Sequence, residues 1–477
     1  MTLKLLKIFG ASFLFCLTLA CSAPINTVVA TINTGVTPTG MAITPDGNFL
    51  YIANNNNYEL SGLDSITVIN LADNSLVTTI FDASFNQPYT ITINPAGTFA
   101  YVTNSNSTTV TVIDLEDNTV EAVITGFDGP SGMVISPDGA TGYVNNYGAG
   151  SPQPSGNGST VRVVDLLTNV IVGASIPVGI APAALAMSSD GALVYVINYV
   201  DGDLGTGSMS VIDTSDNSVT TPVPAGLSGP FAIAITPDDN FAYVTNFGSN
   251  NFIPIGTTVS VIDLSDNTIT ATIDLAIQPA GLAITPDGKF AYASNYNALY
   301  SSNGVYDGAT LVGTVNILVP GEGTVNIIDT ATNSVVSQTI AVGQSPANIV
   351  ISPSGQFAYV SNFVSNTVNV IGLPTFEIQA QGTQIQNRFL TRVELVNQVT
   401  WTVSGSSLPV SYAIYRDAAL TDQIGSVFAG QTFAFYDHNK AANTMYTYYI
   451  TGTNEAGITS APVEVVIGGQ SSNLVPN

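Results

Sequence analysis

Gly281-Leu282-Ala283-Ile284-Thr285-Pro286-Asp287-Gly288-Lys289-Phe290-Ala291-Tyr292-Ala293-Ser294-Asn295 is the stretch that decides the fold. Two short apolar runs flank Pro-Asp-Gly, where Pro presets φ and Gly accepts a positive φ, so the segment reads as a tight β-hairpin. The stretch is one of a series. Its Tyr recurs at Tyr51, Tyr101, Tyr143, Tyr195, Tyr243, Tyr292 and Tyr359, each followed three residues later by Asn54, Asn104, Asn146, Asn198, Asn246, Asn295 and Asn362. Successive copies lie 42 to 67 residues apart.

A four-stranded unit recurring at this period is the pattern of a β-propeller blade. In the second copy the spacing predicts strands over Tyr89–Asn94, Phe99–Thr103, Thr109–Leu115 and Thr119–Ile124, from the innermost outward. An Asp-x-x-x-Asn turn joins the third and fourth strands, ending at Asn118, Asn169, Asn217, Asn267 and Asn333, with Asn70 to Asn74 as the first variant. Asp and Asn bond the local backbone there, and Asn tolerates a left-handed conformation. The seventh copy has no fourth strand, because Gly372-Leu373-Pro374 follows its third. Asn26-Thr27-Val28-Val29-Ala30-Thr31-Ile32 at the other end matches outer strands such as Asn267–Ile273, so it is expected to close the ring and cover an open edge. The expected fold class is all-β, a seven-bladed β-propeller over residues 25–373 whose N-terminal strand completes the last blade.

The seven copies resemble the YVTN-type propeller repeat family, whose namesake residues stand at Tyr101-Val102-Thr103-Asn104 and Tyr243-Val244-Thr245-Asn246. The resemblance covers residues 25 to 372. It implies an exported or surface-exposed protein and fixes no single activity, because fold and function are separate inferences.

The first 20 residues carry Lys4 and Lys7 ahead of an apolar run from Ile8 to Ala20 and read as a signal peptide, too short to span a bilayer. Leu17-Thr18-Leu19-Ala20-Cys21 resembles a lipoprotein box, with Thr18 where Leu is usual, so Cys21 is the expected lipidation site and 21–24 a lipidated linker. No cysteine follows it, which leaves no internal disulfide. Ser22, in place of the Asp of inner-membrane retention, favours the outer membrane or cell surface by the same resemblance, with a periplasmic or secreted protein as the alternative. Without Lys4 and Lys7 the chain keeps 33 acidic residues against 6 basic ones. Such a surface repels polyanions and excludes nucleic acid as a partner.

Every copy places Pro at the start of its inner strand, followed by Thr39, Tyr89, Ser131, Ala183, Phe231, Ala280 or Ala347, none of them charged. Hydrolysis of a lactone, or cation binding, needs carboxylates, His or Arg at such a channel mouth. The only histidine, His438, lies outside the repeats and reads as a solvated turn residue, so no catalytic residue, metal or cofactor is expected. Asp201-Gly202-Asp203 is the tight carboxylate pair of the loops and reads as a solvated turn.

Long connections between second and third strands gather on one face, the usual place for binding function. Aromatic residues follow the repeat Asn at Tyr147, Tyr199, Phe247, Tyr296 and Phe363, and others lie further out at Tyr58, Phe252, Tyr300 and Tyr306, beside Asp307. Tyr147, Tyr199, Phe247, Tyr296, Tyr300, Tyr306 and Asp307 are the candidate binding residues for a protein or glycan ligand, with packing over the blades as the simpler reading of the strand-end aromatics. Gly313–Leu318 nearly repeats Gly323–Ile328, so the longest connection is expected to form an extra hairpin.

From Pro374 the repeat stops. Val399–Val403, Val410–Arg416 and Tyr446–Gly457 resemble strands B, C and F of a fibronectin type III-like domain over 374–468, followed by a tail at 469–477. The resemblance implies Trp401 in the core and Tyr446 as the tyrosine-corner residue, while residues 378–394, with Arg388 and Arg392, match that family poorly and are expected to run irregularly into the second strand. The leading expectation is a lipid-anchored, non-catalytic binding protein. A lactonase- or isomerase-type enzyme acting through Asp201, Asp203 and Asp307 is the alternative, and a structural surface-layer-like protein a second one.

Overall fold

The computed structural model describes residues 26–56, 63–148, 157–200, 207–248, 255–307, 310–373, 376–388, 393–405, 409, 411–428, 431–441, 444–453, 462–467 and 475–476, and their regular structure is entirely β. One compact unit spans Ile25–Thr375 and another holds Phe376–Asn477.

The first unit contains seven four-stranded antiparallel sheets. Blade 2 is typical, with strands Pro88–Ile93, Phe99–Asn104, Thr109–Asp114 and Thr119–Thr125. The other blades run over 38–80, 130–177, 180–227, 230–274 and 279–342, and blade 7 over 346–372 plus the N-terminal strand. Between neighbouring blades the sheets share buried apolar clusters, such as Tyr101, Val110, Val112 and Ile124 of blade 2 with Met133, Val144 and Val164 of blade 3.

Blade 7 is closed as the sequence predicts. Thr27–Asn33 pairs antiparallel with Thr367–Gly372, with Thr27 opposite Gly372 and Asn33 opposite Thr367. A second match shows why this register holds. Each turn Asn (Asn74, Asn118, Asn169, Asn217, Asn267 and Asn333) adopts a positive φ of 51–60°. The repeat Tyr of the preceding blade donates its hydroxyl to that Asn from Tyr51 to Asn118 at 2.6 Å, from Tyr143 to Asn217 at 3.3 Å and from Tyr243 to Asn333 at 2.6 Å. Asn26, with φ 51°, receives the same bond from Tyr292 at 3.0 Å and so stands in for the missing turn residue. Burial pushes the Tyr51 and Tyr243 hydroxyls up to about 12, which keeps them protonated donors.

At the ring axis the inner strands approach so closely that small residues are needed. A Cβ on Gly40 would lie 2.3 Å from the Tyr89 carbonyl oxygen, and one on Gly281 would lie 2.6 Å from the Asn348 Cα. Hydroxyls on the first or second strand then tie six of the seven blades to the inner strand of the next: Thr39 donates to Pro88, Thr90 to Ser131, Ser131 to Pro182, Thr245 to Ala280, Ser294 to Pro346 and Ser361 to Thr39, all through backbone carbonyls.

The extra hairpin in blade 6 is present as strands Ala298–Asp307 and Thr310–Pro320, paired with each other alone. In the second unit, two four-stranded sheets enclose an apolar cluster that includes Ile378, Val399, Trp401, Tyr412, Ile414, Tyr448 and Ile450. The expected irregular run over 378–394 is corrected. Phe376–Arg388 is a regular strand paired with Val393–Gly405 from end to end. Ile378 is buried while Gln379 and Gln381 are exposed, a period of two that the polar composition concealed. His438 is a half-exposed turn residue whose Nδ1 lies 3.1 Å from Glu394. Burial pushes Asp437 up, but hydrogen bonds from Lys440 and Tyr448 and the nearby charges outweigh it and hold the carboxyl below its usual range.

Candidate functional site

The seven residues that precede the inner-strand prolines all have positive φ: Thr37, Gln87, Gly129, Ala181, Gly229, Gln278 and Ser345, at 49–56°. Non-glycine residues adopt this region rarely, and its recurrence around one opening shows a backbone held by its surroundings. The carbonyl of this residue accepts the backbone N–H of the residue after the repeat Asn: Asn55, Ser105, Tyr147, Phe247, Tyr296 and Phe363 donate at 2.9–3.1 Å. The repeat Asn completes the lock. Asn104 Nδ2 donates to Thr109 and Thr111 at 3.0 Å, and its Oδ1 accepts from the Asn86 backbone at 3.2 Å. The repeat Asn is therefore structural, and its effect is to fix the backbone of the residue behind it.

Ser105, Tyr147, Phe247, Tyr296 and Phe363, with Tyr199 at the same position of blade 4, line a central cavity of about 590 Å³ together with the inner strands of all seven blades. Tyr147, Tyr199, Phe247, Tyr296 and Phe363 come from blades 3 to 7, while Tyr89 and Phe231 come from the positions after the inner-strand prolines of blades 2 and 5. Phe231 stacks on Phe247 at 5.1 Å, Phe247 meets Tyr296 edge-on at 5.9 Å, and Tyr296 tilts against Phe363 at 6.2 Å. The last two contacts cross blade boundaries, so Phe247, Tyr296 and Phe363 form one surface across blades 5 to 7 instead of capping their own blades. Met133, Leu185, Ile233 and Leu282 add aliphatic surface, and Thr39, Thr90, Ser105, Ser131 and Asn348 supply polar atoms.

None of the lining residues carries a formal charge. The titratable groups are tyrosines. Burial, reinforced by the hydroxyls of Tyr147 and Tyr199, pushes Tyr89 up, and burial does the same to Tyr147. Tyr199 donates its hydroxyl to the Gly248 carbonyl. Protonated phenols, alcohols and an amide can hydrogen-bond and stack, but they do not transfer protons readily near neutral pH. Among the described residues no group of three His, Cys, Asp or Glu is placed to hold a metal, and no helix is long and apolar enough to cross a membrane.

Of the candidate residues, Tyr147, Tyr199, Phe247 and Tyr296 are thus brought together. Tyr300, Tyr306 and Asp307 lie along the first strand of the blade 6 hairpin, Ala298–Asp307. Cys21, Tyr58, Asp201, Asp203 and Phe252 lie outside the described residues. Sequence reasoning passed over Tyr89 and Phe231 as merely uncharged positions, and over Asn348. The available signal was an aromatic beside Pro in only two copies, which becomes meaningful once the blades are set around one axis.

Comparison with known proteins agrees with the ring. A family model described as "Lactonase, 7-bladed beta-propeller" matches residues 16–137. The seven-bladed beta-propeller protein Rv1057 of Mycobacterium tuberculosis is 27% identical over 356 residues, covering 68% of this chain and 79% of that protein. The PE-PGRS family protein PE_PGRS18 of the same organism is 53% identical over 60 residues, 13% of either chain, so the match spans a small part of that relative. Among solved structures, hydrazine synthase of Kuenenia stuttgartiensis superposes with a TM-score of 0.57 at 23% identity, over 72% of this chain and 97% of that one. This last likeness concerns the fold alone. The chain is a β-propeller protein with seven blades.

Proposed function

We propose that this protein is a non-catalytic binding protein that engages a protein or glycan partner at the propeller face bearing the central cavity. The observation that carries the reading is the composition of that cavity, which joins an aromatic surface to hydroxyl and amide groups without a charged residue. Rigid aromatic rings give contact area at low entropic cost, and their backbone is already locked in place. Cys21 carries the lipid that anchors the chain to an outer membrane or cell surface. The second unit is a fibronectin type III-like spacer or interaction module. Supporting it are the sheet order Ala434–Asp437, Val393–Gly405, Phe376–Arg388 opposite Gln423–Phe428, Ser411–Tyr415, Tyr446–Thr453, Val463–Ile467, the buried Trp401, and the Tyr446 hydroxyl accepting the Ala441 N–H at 2.9 Å.

Affinity capture from envelope and host-cell extracts tests the reading, using the intact chain and a Phe247→Ala/Tyr296→Ala variant with an unchanged melting temperature. A partner held by the first and released by the second supports it. Equal capture by both overturns it. Labelled palmitate incorporated into the chain and lost in Cys21→Ser checks the anchor.

The match of the lactonase-type model to residues 16–137 favours a second reading, an enzyme acting on a lactone or related ester. Its acids and bases would come from outside the cavity lining, with Asp201, Asp203 and Asp307 as candidates. Lactone hydrolysis that Asp201→Asn, Asp203→Asn or Asp307→Asn abolishes would establish it in place of the first.

A further inference from the structure

We propose that the central cavity takes an uncharged carbohydrate, with the C–H face of a pyranose ring on the aromatic arc and its hydroxyls on the opposite, acceptor-rich arc. This inference rests on the binding reading above and names the ligand for the same site.

The cavity has two sides of different chemistry. On one, Phe231, Phe247, Tyr296 and Phe363 form an unbroken series of ring contacts contributed by blades 5 to 7. On the other, blades 1 to 3 present the hydroxyls of Thr39, Thr90, Ser105 and Ser131 beside the rings and protonated hydroxyls of Tyr89 and Tyr147. Those hydroxyls have already committed their protons. Thr39 donates to the Pro88 carbonyl at 3.1 Å, Thr90 to Ser131 at 2.7 Å, Ser105 to Gln87 at 3.0 Å and Ser131 to Pro182 at 3.3 Å. Ser131 Oγ also accepts from Asn145 Nδ2 at 2.7 Å, so the lone pairs turned to a ligand are chiefly those of Thr39, Thr90 and Ser105. Asn348 adds an amide on blade 7, its Oδ1 buried without a hydrogen-bond partner among the described residues, as are the Oδ1 atoms of the repeat residues Asn54, Asn198, Asn295 and Asn362.

A ligand that satisfies both sides must offer several O–H donors on one part and an apolar face on another. A neutral sugar does so, since its axial C–H bonds form a flat apolar patch and its hydroxyls point outward. A carboxylate, phosphate or sulfate would find no cation in the lining, in a chain whose formal charge is −25. A quaternary ammonium ion could sit over the aromatic rings but has no proton for Asn348. The volume of about 590 Å³ falls within the usual range of small-ligand sites, about 300–1,000 Å³, and leaves room for more than a small cation.

Isothermal titration calorimetry on the intact chain tests this with maltose, cellobiose, chitobiose, digalacturonate and choline as probes. The expected result is saturable binding of at least one neutral disaccharide, with digalacturonate at least tenfold weaker and choline without measurable heat. Tyr296→Leu and Phe247→Leu, which keep apolar volume but remove the ring face, should weaken that sugar at least tenfold with an unchanged melting temperature. Asn348→Leu should weaken it about fivefold. Choline or digalacturonate binding more tightly than every neutral sugar would overturn the assignment, as would no saturable neutral sugar or full affinity in both leucine variants. A macromolecular partner released by the Phe247→Ala/Tyr296→Ala variant but not displaced by the sugars would sink the carbohydrate assignment and leave the binding reading standing. A bound sugar with no captured partner would do the reverse.

Discussion

Six of the seven junctions between blades and the junction between blades 4 and 5 reach the same closure by different chemistry. At the six, a hydroxyl near the axis donates to the next inner strand. On the opposite face, the turn Gly of one blade rests on the turn Pro of the blade before it, as Gly97 does on Pro45, Gly139 on Pro95 and Gly288 on Pro237. Between blades 4 and 5 both partners change. Ala183 and Ile197 stand at positions that supply the hydroxyl elsewhere, and Ile197 is fully buried in a cluster with Ala242 and Val244. Ser189 stands where Pro would be and Asp239 where Gly would be, and the Asp239 carboxylate accepts the Ser189 backbone N–H at 3.0 Å and its hydroxyl as well. The repeat is thus enforced at the level of the junction. A residue type can be exchanged when the partner across the seam is exchanged with it.

The most damaging way to break an ordinary junction is to thicken it at the axis. Gly40→Val would drive a side chain into the backbone of Tyr89 and Thr90, so a loss of about 3 kcal/mol or failure to fold is expected in urea unfolding. The closing junction is probed by Tyr292→Phe, which removes the buried hydroxyl bond to Asn26. A loss of about 1–2 kcal/mol is expected, and an unchanged unfolding midpoint would mean that Asn26 does not hold the ring shut. The exceptional junction is tested by a cycle. Asp239→Gly and Ser189→Pro should each cost about 1 kcal/mol, while the double variant, which restores the Pro-on-Gly contact of the other seams, should cost less than their sum. Strict additivity would show that the two positions are not coupled.

The smallest effect concerns pH. Hydroxyls of Thr44 and Thr236 hold the turn carboxyls of Asp46 and Asp238 below their usual range. Their folded values therefore lie below the unfolded value near about 3.9, so the stabilisation is complete above that pH and is lost as pH falls through the folded values. Asp46→Asn should make the acid limb of the melting-temperature profile shallower. A profile identical to that of the parent chain would rule this contribution out.

Much of this ring can be read from the sequence because its signals are local and repeated. Pro-Asp-Gly defines the inner hairpin, Asn118 and its equivalents define the outer one, and Asn26-Thr27-Val28 declares itself by matching an outer strand. The strand Phe376–Arg388 escaped notice because Gln384 and Gln386 dilute the face that Ile378 begins and Gly382 interrupts it. The cavity was half legible. Five aromatics after the repeat Asn are visible in the text of the sequence, but whether each packs over its own blade or turns to a shared centre depends on a positive φ at residues such as Gln278 and Ser345, which no residue type there announces. Tyr89, Phe231 and Asn348 join the site only through closure, since their significance lies in which other blades face them.

The closing blade also sets an order of events. Thr31, on the first strand to be made, bonds to Asn369, 338 positions later, so the earliest segment has no partner until nearly the whole propeller has been synthesised. Bringing such distant segments together is entropically costly and slow. In the meantime the strand Thr27–Asn33 has both edges unpaired, a template for pairing with another chain. A protein built this way gains little from finishing six blades, and any passage through a narrow pore must be over before the first strand meets the last.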